Sequence, residues 1–402
     1  MTSDAVVANG SGYLSVSNSG TISALAGRAI VHDAGSGTTL IVNDGLIEGL
    51  TAIALGSGYD QVFNTGTIIG NILLGGGNDR YEGVDGVLTN SVSGGDGNDL
   101  LVGGAKGEWL YGGDGIDTLH GGGGNDVLNG GAGIDDLDGG EGRDRAVYDD
   151  AAGLTVDLEF QELNTGSAAG DILDAVEGVV VTGGASQLFG DAGRNLLIGG
   201  SGADLLDGRG DIDRMAGGAG DDIYVVDHRR DRIVEYAGGG SDLIRASSNY
   251  VLSDQVEALM LTGTAAVDAT GNALANALTG NGAANVLRGL TGSDTLTGGG
   301  GMDIFRFDTA LGSDVDTITD FAGDRLQLSR SIFTEVNNGA VLAETRFVTG
   351  TAAGDAGDRI IHNAVTGELF YDPDGTGAAA QVLFARVTPG TELTYADVLL
   401  VS

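Results

Sequence analysis

Residues 94 to 147 read GGDGNDLLV, GGAKGEWLY, GGDGIDTLH, GGGGNDVLN, GGAGIDDLD and GGEGRDRAV, which are six nine-residue units without a gap. The sixth position of each unit carries an acidic residue: Asp99, Glu108, Asp117, Asp126, Asp135 and Asp144. The eighth position carries an aliphatic residue: Leu101, Leu110, Leu119, Leu128, Leu137 and Ala146. Self-similarity at a fixed short period is typical of a repeat fold, in which stacked units share one continuous core.

The same unit recurs in two further blocks and once in isolation. Residues 190–225 hold four units, with Asn195, Asp204, Asp213 and Asp222 at position six. Residues 271–306 hold another four, with Asn276, Asn285, Asp294 and Asp303 at that position. The isolated unit, LGGGNDRYE, places Asp79 ahead of the first block. The repeat therefore organises much of the chain.

The glycines and the aliphatic positions together predict a solenoid. The chain has 75 glycines and only 2 prolines, which favours repeated tight turns over flexible linkers. The three residues after each acid are expected to form a short strand, and strands of successive coils stack about 4.8 Å apart. If two units make one coil, acids 18 residues apart stack, so that Asp99 lies near Asp117 and Asp117 near Asp135. We therefore predict an all-β fold: a parallel β-roll or β-helix solenoid in several stacked blocks, with a small β cap at the C-terminus.

The charge of the chain indicates bound cations. There are 57 acidic and 19 basic residues, which gives a formal net charge of −38, so nucleic acid is not an expected partner. Carboxylates stacked at strand spacing would repel one another unless a hard divalent cation lay between them. All-oxygen sites with six or more ligands suit calcium, whereas magnesium and zinc are poorer matches. A solvated acidic protein or a disordered chain is the alternative, although 41% of the residues are hydrophobic and recur periodically.

The nonamer GGxGxDxUx resembles the RTX (haemolysin-type) calcium-binding repeat. The resemblance implies a parallel β-roll with several calcium ions between adjacent turns, held by position-six aspartates and by turn residues. The aspartates and glycines that it implies as the metal site are Asp79, Gly94, Asp96, Gly97, Asp99, Gly112, Asp114, Gly115, Asp117, Gly121, Gly124, Asp126, Gly130, Gly133, Asp135, Gly139, Gly142, Asp144, Gly199, Gly202, Asp204, Asp213, Gly217, Gly220, Asp222, Gly289, Gly292, Asp294, Gly298, Gly301 and Asp303.

Some units depart from the pattern. Lys106 and Glu108 replace a glycine and an aspartate, and Arg209 and Asp211 stand at glycine positions, so sites at these turns are expected to be weak or empty. Asparagine at position six can offer a carbonyl oxygen but no charge. We therefore expect Asn195, Asn276 and Asn285 to continue the solenoid with lower calcium affinity.

The rest of the chain is divided around these blocks. Residues 1–93 are expected to form a β-helix-like solenoid, because turn-and-strand motifs recur at Asn18, Asn43 and Asn64. Residues 148–189 and 226–270 alternate apolar and polar residues and are predicted to be β connectors between the blocks at 94–147, 190–225 and 271–306. Residues 307–402 resemble the cap and uncleaved C-terminal signal of type I secreted RTX proteins such as serralysin-type exoproteins. An ordinary capping strand is the alternative for the last residues.

Localisation is predicted from the same features. Cysteine is absent, Met1 to Ser11 do not resemble a cleaved secretion signal, and no run of 18 apolar residues occurs, so neither that signal nor a membrane span is expected. These features fit a cytoplasmic protein as well as a type I substrate. We expect a secreted, extracellular protein, with cell-surface association as an option. Its expected partners are calcium and the type I secretion machinery, with a cell-surface or matrix polysaccharide as an option.

A catalytic motif is not found in the sequence. The four histidines, His32, His120, His228 and His362, form no HExxH pattern, and no GxSxG motif occurs. The predicted function is therefore a secreted calcium-binding structural or adhesive protein, not an enzyme, whose repeats fold on binding extracellular calcium. The alternative is a calcium-dependent polysaccharide lyase or epimerase that uses the N-terminal solenoid. Residues 1–93 contain only Arg28 and Arg80 as cations, which gives anionic sugar binding there little support.

Overall fold

The structure of the protein, a computed structural model, describes residues 4–33, 35–312 and 314–402. The chain forms two compact units, Met1–Arg214 and Met215–Ser402. Within the described residues, regular structure other than strand consists of single-turn 3₁₀ segments: Gln161–Leu163, Gly166–Ala168, Glu344–Arg346 and Tyr395–Asp397. Among the helices of these residues, none has the length and apolar character needed to cross a membrane.

The first unit is built from short strands separated by turns. They are β1 (Val6–Ala8), β2 (Leu14–Asn18), β3 (Thr21–His32), β4 (Thr39–Asn43), β5 (Leu46–Ala54), β6 (Gln61–Asn64), β7 (Thr67–Gly76), β8 (Arg80–Glu82), β9 (Val87–Leu88), β10 (Ser91–Asp96), β11 (Leu100–Val102), β12 (Trp109–Asp114), β13 (Thr118–Gly124), β14 (Val127–Ala132), β15 (Asp136–Gly142), β16 (Arg145–Tyr148), β17 (Thr155–Asp157), β18 (Ile172–Asp174), β19 (Gly178–Val181), β20 (Gln187–Phe189), β21 (Leu196–Ser201) and β22 (Leu205–Asp207). The boundary to the second unit falls at the start of β23 (Arg214–Ala219).

From β10 to β16, successive strands alternate between two parallel sheets. One sheet runs through β10, β12, β14 and β16, and the other through β8, β11, β13 and β15. Leu100 pairs with Thr118 and Thr118 with Asp136, so each coil of this block contains 18 residues. The predicted register of two nonamers per coil is confirmed.

The core of the block consists of the aliphatic residues at position eight. Leu101, Leu119 and Leu137 stack on one sheet and Leu110 and Leu128 on the other, and all five are fully buried. Burying an aliphatic side chain of this size contributes about 1.5–3 kcal/mol. Because each nonamer supplies one such residue, every coil of two nonamers adds two residues to the core.

The turns require glycine at positions where the coils lie in contact. Gly113 has a φ of 125°, and a Cβ on this residue would lie 2.0 Å from the carbonyl oxygen of Gly95 in the preceding coil. Any side chain would therefore separate adjacent coils as well as strain the backbone.

The second unit continues the strand-and-turn pattern. Its strands are β24 (Ile223–Val226), β25 (Arg232–Ile233), β26 (Leu243–Ala246), β27 (Tyr250–Val251), β28 (Ala258–Leu261), β29 (Ala269–Thr270), β30 (Ala277–Thr279), β31 (Val286–Arg288), β32 (Thr295–Thr297), β33 (Ile304–Phe307), β34 (Asp316–Ile318), β35 (Arg325–Ser329), β36 (Phe347–Thr349), β37 (Ile360–Asn363), β38 (Glu368–Tyr371), β39 (Val382–Arg386) and β40 (Val398–Val401).

The second unit ends in a small cap. Strands β24 to β34 that share a sheet are parallel, whereas β37, β38 and β39 pair in antiparallel fashion. The cap is closed by aromatic rings: Phe333 packs edge-on against both Tyr371 and Phe384. The last strand, β40, lies parallel to β35. The predicted all-β parallel solenoid with a C-terminal β cap is confirmed.

Candidate calcium site

Position-six acids form a hydrogen-bonded ladder along each edge of the coils. The backbone N–H of Asp99 donates to Oδ1 of Asp117 (2.8 Å), and that of Asp117 donates to Oδ1 of Asp135 (2.9 Å). On the other edge, the N–H of Asp126 donates to Oδ1 of Asp144 (2.6 Å). Since the strands fix the 18-residue register, each acid lies directly over the acid of the next coil.

The second oxygen of these carboxylates has no hydrogen-bond donor within the described part of the chain. It is also inaccessible to solvent, at Oδ2 of Asp79, Asp99, Asp117, Asp126, Asp135, Asp144 and Asp294. Leaving a buried charged acceptor unsatisfied costs more than the roughly 1–3 kcal/mol of a neutral group. Such a repeated cost indicates that a cation belongs beside these oxygens.

The glycine at position one leaves room for that cation. A Cβ on Gly94 would lie 2.0 Å from Oδ2 of Asp99 and 2.7 Å from the carbonyl oxygen of Gly112. The same arrangement recurs at Gly112, where a Cβ would lie 2.3 Å from Oδ2 of Asp117 and 2.4 Å from the carbonyl oxygen of Gly130. Carboxylate and carbonyl oxygens therefore converge where side chains are absent, and an all-oxygen donor set of this kind suits calcium.

Burial also makes the charged form of the ladder carboxylates less favourable. Desolvation, reinforced by the neighbouring carboxylates, raises the pKa of Asp117 and of Asp79 to about 7. Desolvation raises the pKa of Asp99 and of Asp126 to about 6. Without a cation, part of the ladder would hold protons at neutral pH, whereas a divalent ion would stabilise the charged form.

Comparison with family models matches residues 89–105, 111–146, 181–215, 189–224 and 270–309 to the RTX calcium-binding nonapeptide repeat (4 copies). These segments carry RTX calcium-binding nonapeptide repeats. Curated proteins provide no match to the chain. The RTX repeats bind calcium in several copies, and the convergent oxygens described above fit that ion.

The structure buries every position-six aspartate predicted from the RTX pattern. No more than 3% of the surface is exposed at Asp79, Asp99, Asp117, Asp126, Asp135, Asp144, Asp204, Asp213, Asp222, Asp294 and Asp303. Asp96 and Asp114 are exposed at the ends of β10 and β12 and are not brought into this buried row. The glycines predicted at position four, such as Gly97 and Gly115, have positive φ angles of 123° and 139°. The ligand role of each residue remains a prediction.

The RTX ladder extends to acids that the nonamer pattern did not identify. Oxygens of these acids accept the N–H of the residue one coil earlier, as in Asp135 to Asp171 (2.9 Å) and Asp294 to Asp316 (3.0 Å). The additional acids are Asp60, Asp171, Glu177, Asp242, Glu257, Asp316 and Asp324. Each stands two residues before a buried aliphatic residue, and this acid-x-aliphatic pattern could have revealed them.

Glu108 joins the ladder despite replacing aspartate. It is 3% exposed, and its N–H donates to Oδ1 of Asp126 (2.6 Å). Its own Oε2 accepts the N–H of Gly104 (3.1 Å) in the same turn. Oε2 of this longer side chain therefore already has a donor within its own turn. The weaker calcium site expected here remains a prediction.

Arg209, the other residue that departs from the nonamer pattern, contacts the first connector, residues 148–189. Arg209 and Asp211 adopt positive φ angles of 58° and 65° in place of glycine. The Arg209 guanidinium pairs with buried Asp157 (2.5 Å) and lies 5.1 Å from the ring centre of Phe160. Hydrogen bonds from Arg209 lower the pKa of Asp157, although desolvation opposes them. This arginine therefore contributes a connector contact.

Proposed function

We propose that the protein is secreted and that its RTX repeats fold when they meet extracellular calcium, giving a structural or adhesive protein. The observation that carries this proposal is the row of buried carboxylate oxygens without donors, beside glycines that leave space for an ion. At low cytosolic calcium the ladders would repel and oppose coil formation. Extracellular calcium modules have dissociation constants of about 0.1–1 mM, so external calcium would drive folding.

The test is a calcium titration of the full chain after chelation, followed by far-UV circular dichroism, with magnesium as the control ion. We expect a cooperative gain of β structure at calcium concentrations of about 0.1–1 mM. A chelated protein that already shows its full β signal, unchanged by calcium, would contradict the proposal.

Export by type I secretion machinery belongs to the same proposal. The final residues, which resemble its C-terminal signal, form β40 in the folded protein. An unfolded chain in the cytosol would leave them accessible. Deleting residues 396–402 should abolish export into the medium of a host with the machinery, whereas deleting the equally short exposed segment 350–356 should not.

Adhesion to an acidic polysaccharide is supported by a polar groove in the second unit. The groove has a volume of about 470 Å³, within the usual range of ligand sites. Arg229 and Arg232 line it together with Asn249, Ser253 and Thr270. Among the ion pairs of the described residues, none uses either arginine. Arginine forks suit sugar carboxylates, and the hydroxyl and amide groups suit sugar hydroxyls.

Two carboxylates also line this groove, but both make hydrogen bonds with the backbone. Asp231 accepts the N–H of His228 (3.0 Å), and Asp268 accepts that of Val286 (2.9 Å). The arginines consequently provide the main charged contacts for an anionic ligand.

This binding is tested with an oligouronate and its neutral counterpart, using calcium-loaded protein. Arg229→Gln with Arg232→Gln should weaken oligouronate binding at least about tenfold through loss of charge-assisted hydrogen bonds. Arg230→Gln is the matched control, because Arg230 is exposed but does not line the groove. Equal losses in both variants, or no binding by the wild type, would contradict the adhesive role.

A further inference from the structure

A group of three acids lies where the second repeat block meets its connector. Ligand oxygens of Asp222, Glu235 and Asp242 all lie within 4.8 Å of one another. The three residues are 1%, 9% and 1% exposed, respectively. Only Asp222 belongs to a nonapeptide of the block at 190–225, since Glu235 and Asp242 come from the connector.

The backbone places the two aspartates as neighbours in the ladder. β24 lies parallel to β26, with Tyr224 opposite Ile244. The N–H of Asp222 donates to Oδ1 of Asp242 (2.9 Å). This coil is 20 residues long, two more than a coil of the first block, and the extra length accompanies a connector that carries Glu235.

Neighbouring groups orient Glu235 towards the aspartates. The Tyr224 hydroxyl, which is buried, donates to Oε1 of Glu235 and accepts the N–H of Gly217 (2.6 Å). The N–H of Tyr236 donates to the other oxygen, Oε2 (3.3 Å). Glu235 is thus fixed by two neighbours on opposite oxygens, which keeps its carboxylate within the group.

A second observation indicates a cation among these acids. Oδ2 of Asp242 is inaccessible to solvent and has no donor among the described residues. Each close like charge makes an isolated carboxylate less favourable, whereas a bound cation converts that repulsion into attraction.

We propose that Asp222, Glu235 and Asp242 form a calcium site that binds more tightly than the two-carboxylate steps of the RTX ladder. Calcium affinity rises with the number of charged ligands and the rigidity of the site, and this site has one carboxylate more than a ladder step. Occupancy at low calcium would order the connector around β25 and give the second unit its first stable coils. The inference rests on the proposed calcium-dependent folding.

The test compares Glu235→Gln with Asp254→Asn in the full chain. Both remove one connector carboxylate, but Asp254 is exposed and lies outside both the group of three and the ladder. Calcium binding is measured by competition with a chromophoric chelator, and terbium luminescence excited through tyrosine reports ions near Tyr224. Circular dichroism at saturating calcium shows that each variant is folded.

In the wild type, the tightest binding phase should also be the one that sensitises terbium. Glu235→Gln should weaken that phase at least about tenfold, while Asp254→Asn changes it less than about threefold. Tyr224→Phe, which retains all three carboxylates, should remove most of the terbium signal and weaken the phase less than Glu235→Gln.

Equal binding by Glu235→Gln and the wild type, or equal weakening by Asp254→Asn, would overturn the proposal. A wild-type protein that keeps the Glu235-dependent phase but gains no β structure with calcium would support this site. That last result would instead contradict calcium-dependent folding, so the two failures are distinguishable.

Discussion

The first unit stacks its coils on two chemically different ladders. In residues 1–93, Nδ2 of Asn18 donates to Oδ1 of Asn43 (2.7 Å), and Nδ2 of Asn43 donates to Oδ1 of Asn64 (2.8 Å). In residues 94–147 the buried ladders consist of carboxylates such as Asp126 and Asp144, and one oxygen of each has no donor among the described residues. An amide carries both a donor and an acceptor, whereas a carboxylate carries only acceptors and a charge.

This difference separates cation-independent coils from cation-dependent ones. Each internal asparagine supplies the donor and the acceptor that its neighbours need, so this edge of the N-terminal coils can close without an ion. Each aspartate adds negative charge to an already buried row, so the coils of 94–147 need calcium. In the second unit, the amides of Asn276 and Asn285 also supply donors to a neighbouring coil: their Nδ2 atoms donate to the carbonyls of Val256 (3.2 Å) and Val267 (2.6 Å).

Calcium removal should cause the largest difference in stability between the N-terminal coils and residues 94–147. On adding a chelator, we expect backbone amides in residues 94–147 to lose nearly all protection from hydrogen exchange, while those in 39–68 remain protected. Hydrogen exchange with mass spectrometry measures both segments in one sample. Simultaneous loss in both segments would show that the amide ladder does not stabilise its coils independently.

Acidification should have the next largest effect, because several carboxyls titrate together. In the chelated protein, burial raises the pKa of Asp79 and Asp117 to about 7 and of Asp99 to about 6, above the unfolded value of about 3.9. The folded state therefore binds more protons than the unfolded state between these values, and the free energy of unfolding rises as pH falls from about 7 to 4.

Hydrogen exchange of the chelated protein between pH 7.5 and 4.5, corrected for the pH dependence of the intrinsic exchange rates, measures this change as protection regained in residues 94–147. With saturating calcium the trend should reverse, since protons and calcium compete for the same oxygens. No gain of protection on acidification without calcium would contradict the assigned pKa shifts.

Asn43→Asp places a carboxylate in the asparagine ladder at a single position. It leaves Oδ1 of Asn64 without its donor and introduces a buried charge, so we expect a loss of about 3 kcal/mol. Chemical denaturation measures it. Asn90→Asp makes the same change at an exposed position and should shift stability by less than about 0.5 kcal/mol.

The converse substitution, Asp117→Asn, should change the free energy of unfolding least. The sign of this change should differ between the calcium-free and the calcium-loaded protein. Without calcium, removing a buried charge should stabilise the protein by about 1–2 kcal/mol. With calcium, losing a charged ligand should destabilise it and lower the number of bound ions. Isothermal titration and denaturation measure both, and exposed Asp174→Asn is the control. The same sign in both states would contradict the assignment of Asp117 as a ligand.

Much of the solenoid was predictable because the block at 94–147 repeats without insertions. The 18-residue register and the inward position of Leu101 and Leu119 follow directly from that period. Elsewhere the coils lengthen: Asp171 stacks on Asp135 across 36 residues, and Asp316 on Asp294 across 22. Insertions expand the loops while strand pairing keeps the register, so a fixed period cannot locate these acids.

The role of asparagine in residues 1–93 was also beyond the sequence pattern. The recurrence of Asn18, Asn43 and Asn64 at turns was visible, but their burial and mutual hydrogen bonds depend on how coils of unequal length align. Glu235 was missed for a related reason, since its approach to Asp222 depends on a connector turn and on the Tyr224 hydroxyl.

The hydrogen bonds of the carboxylate ladder all point the same way along the chain. Asp99 donates its N–H to Asp117, and Asp117 donates to Asp135, so each coil depends on the coil that follows it in sequence. A fragment that ends at any coil would present the N–H of its last acid to water, whereas a fragment that begins at that coil would present a carboxylate oxygen. The stack therefore has a direction: its C-terminal side presents backbone donors, and its N-terminal side presents carboxylate acceptors.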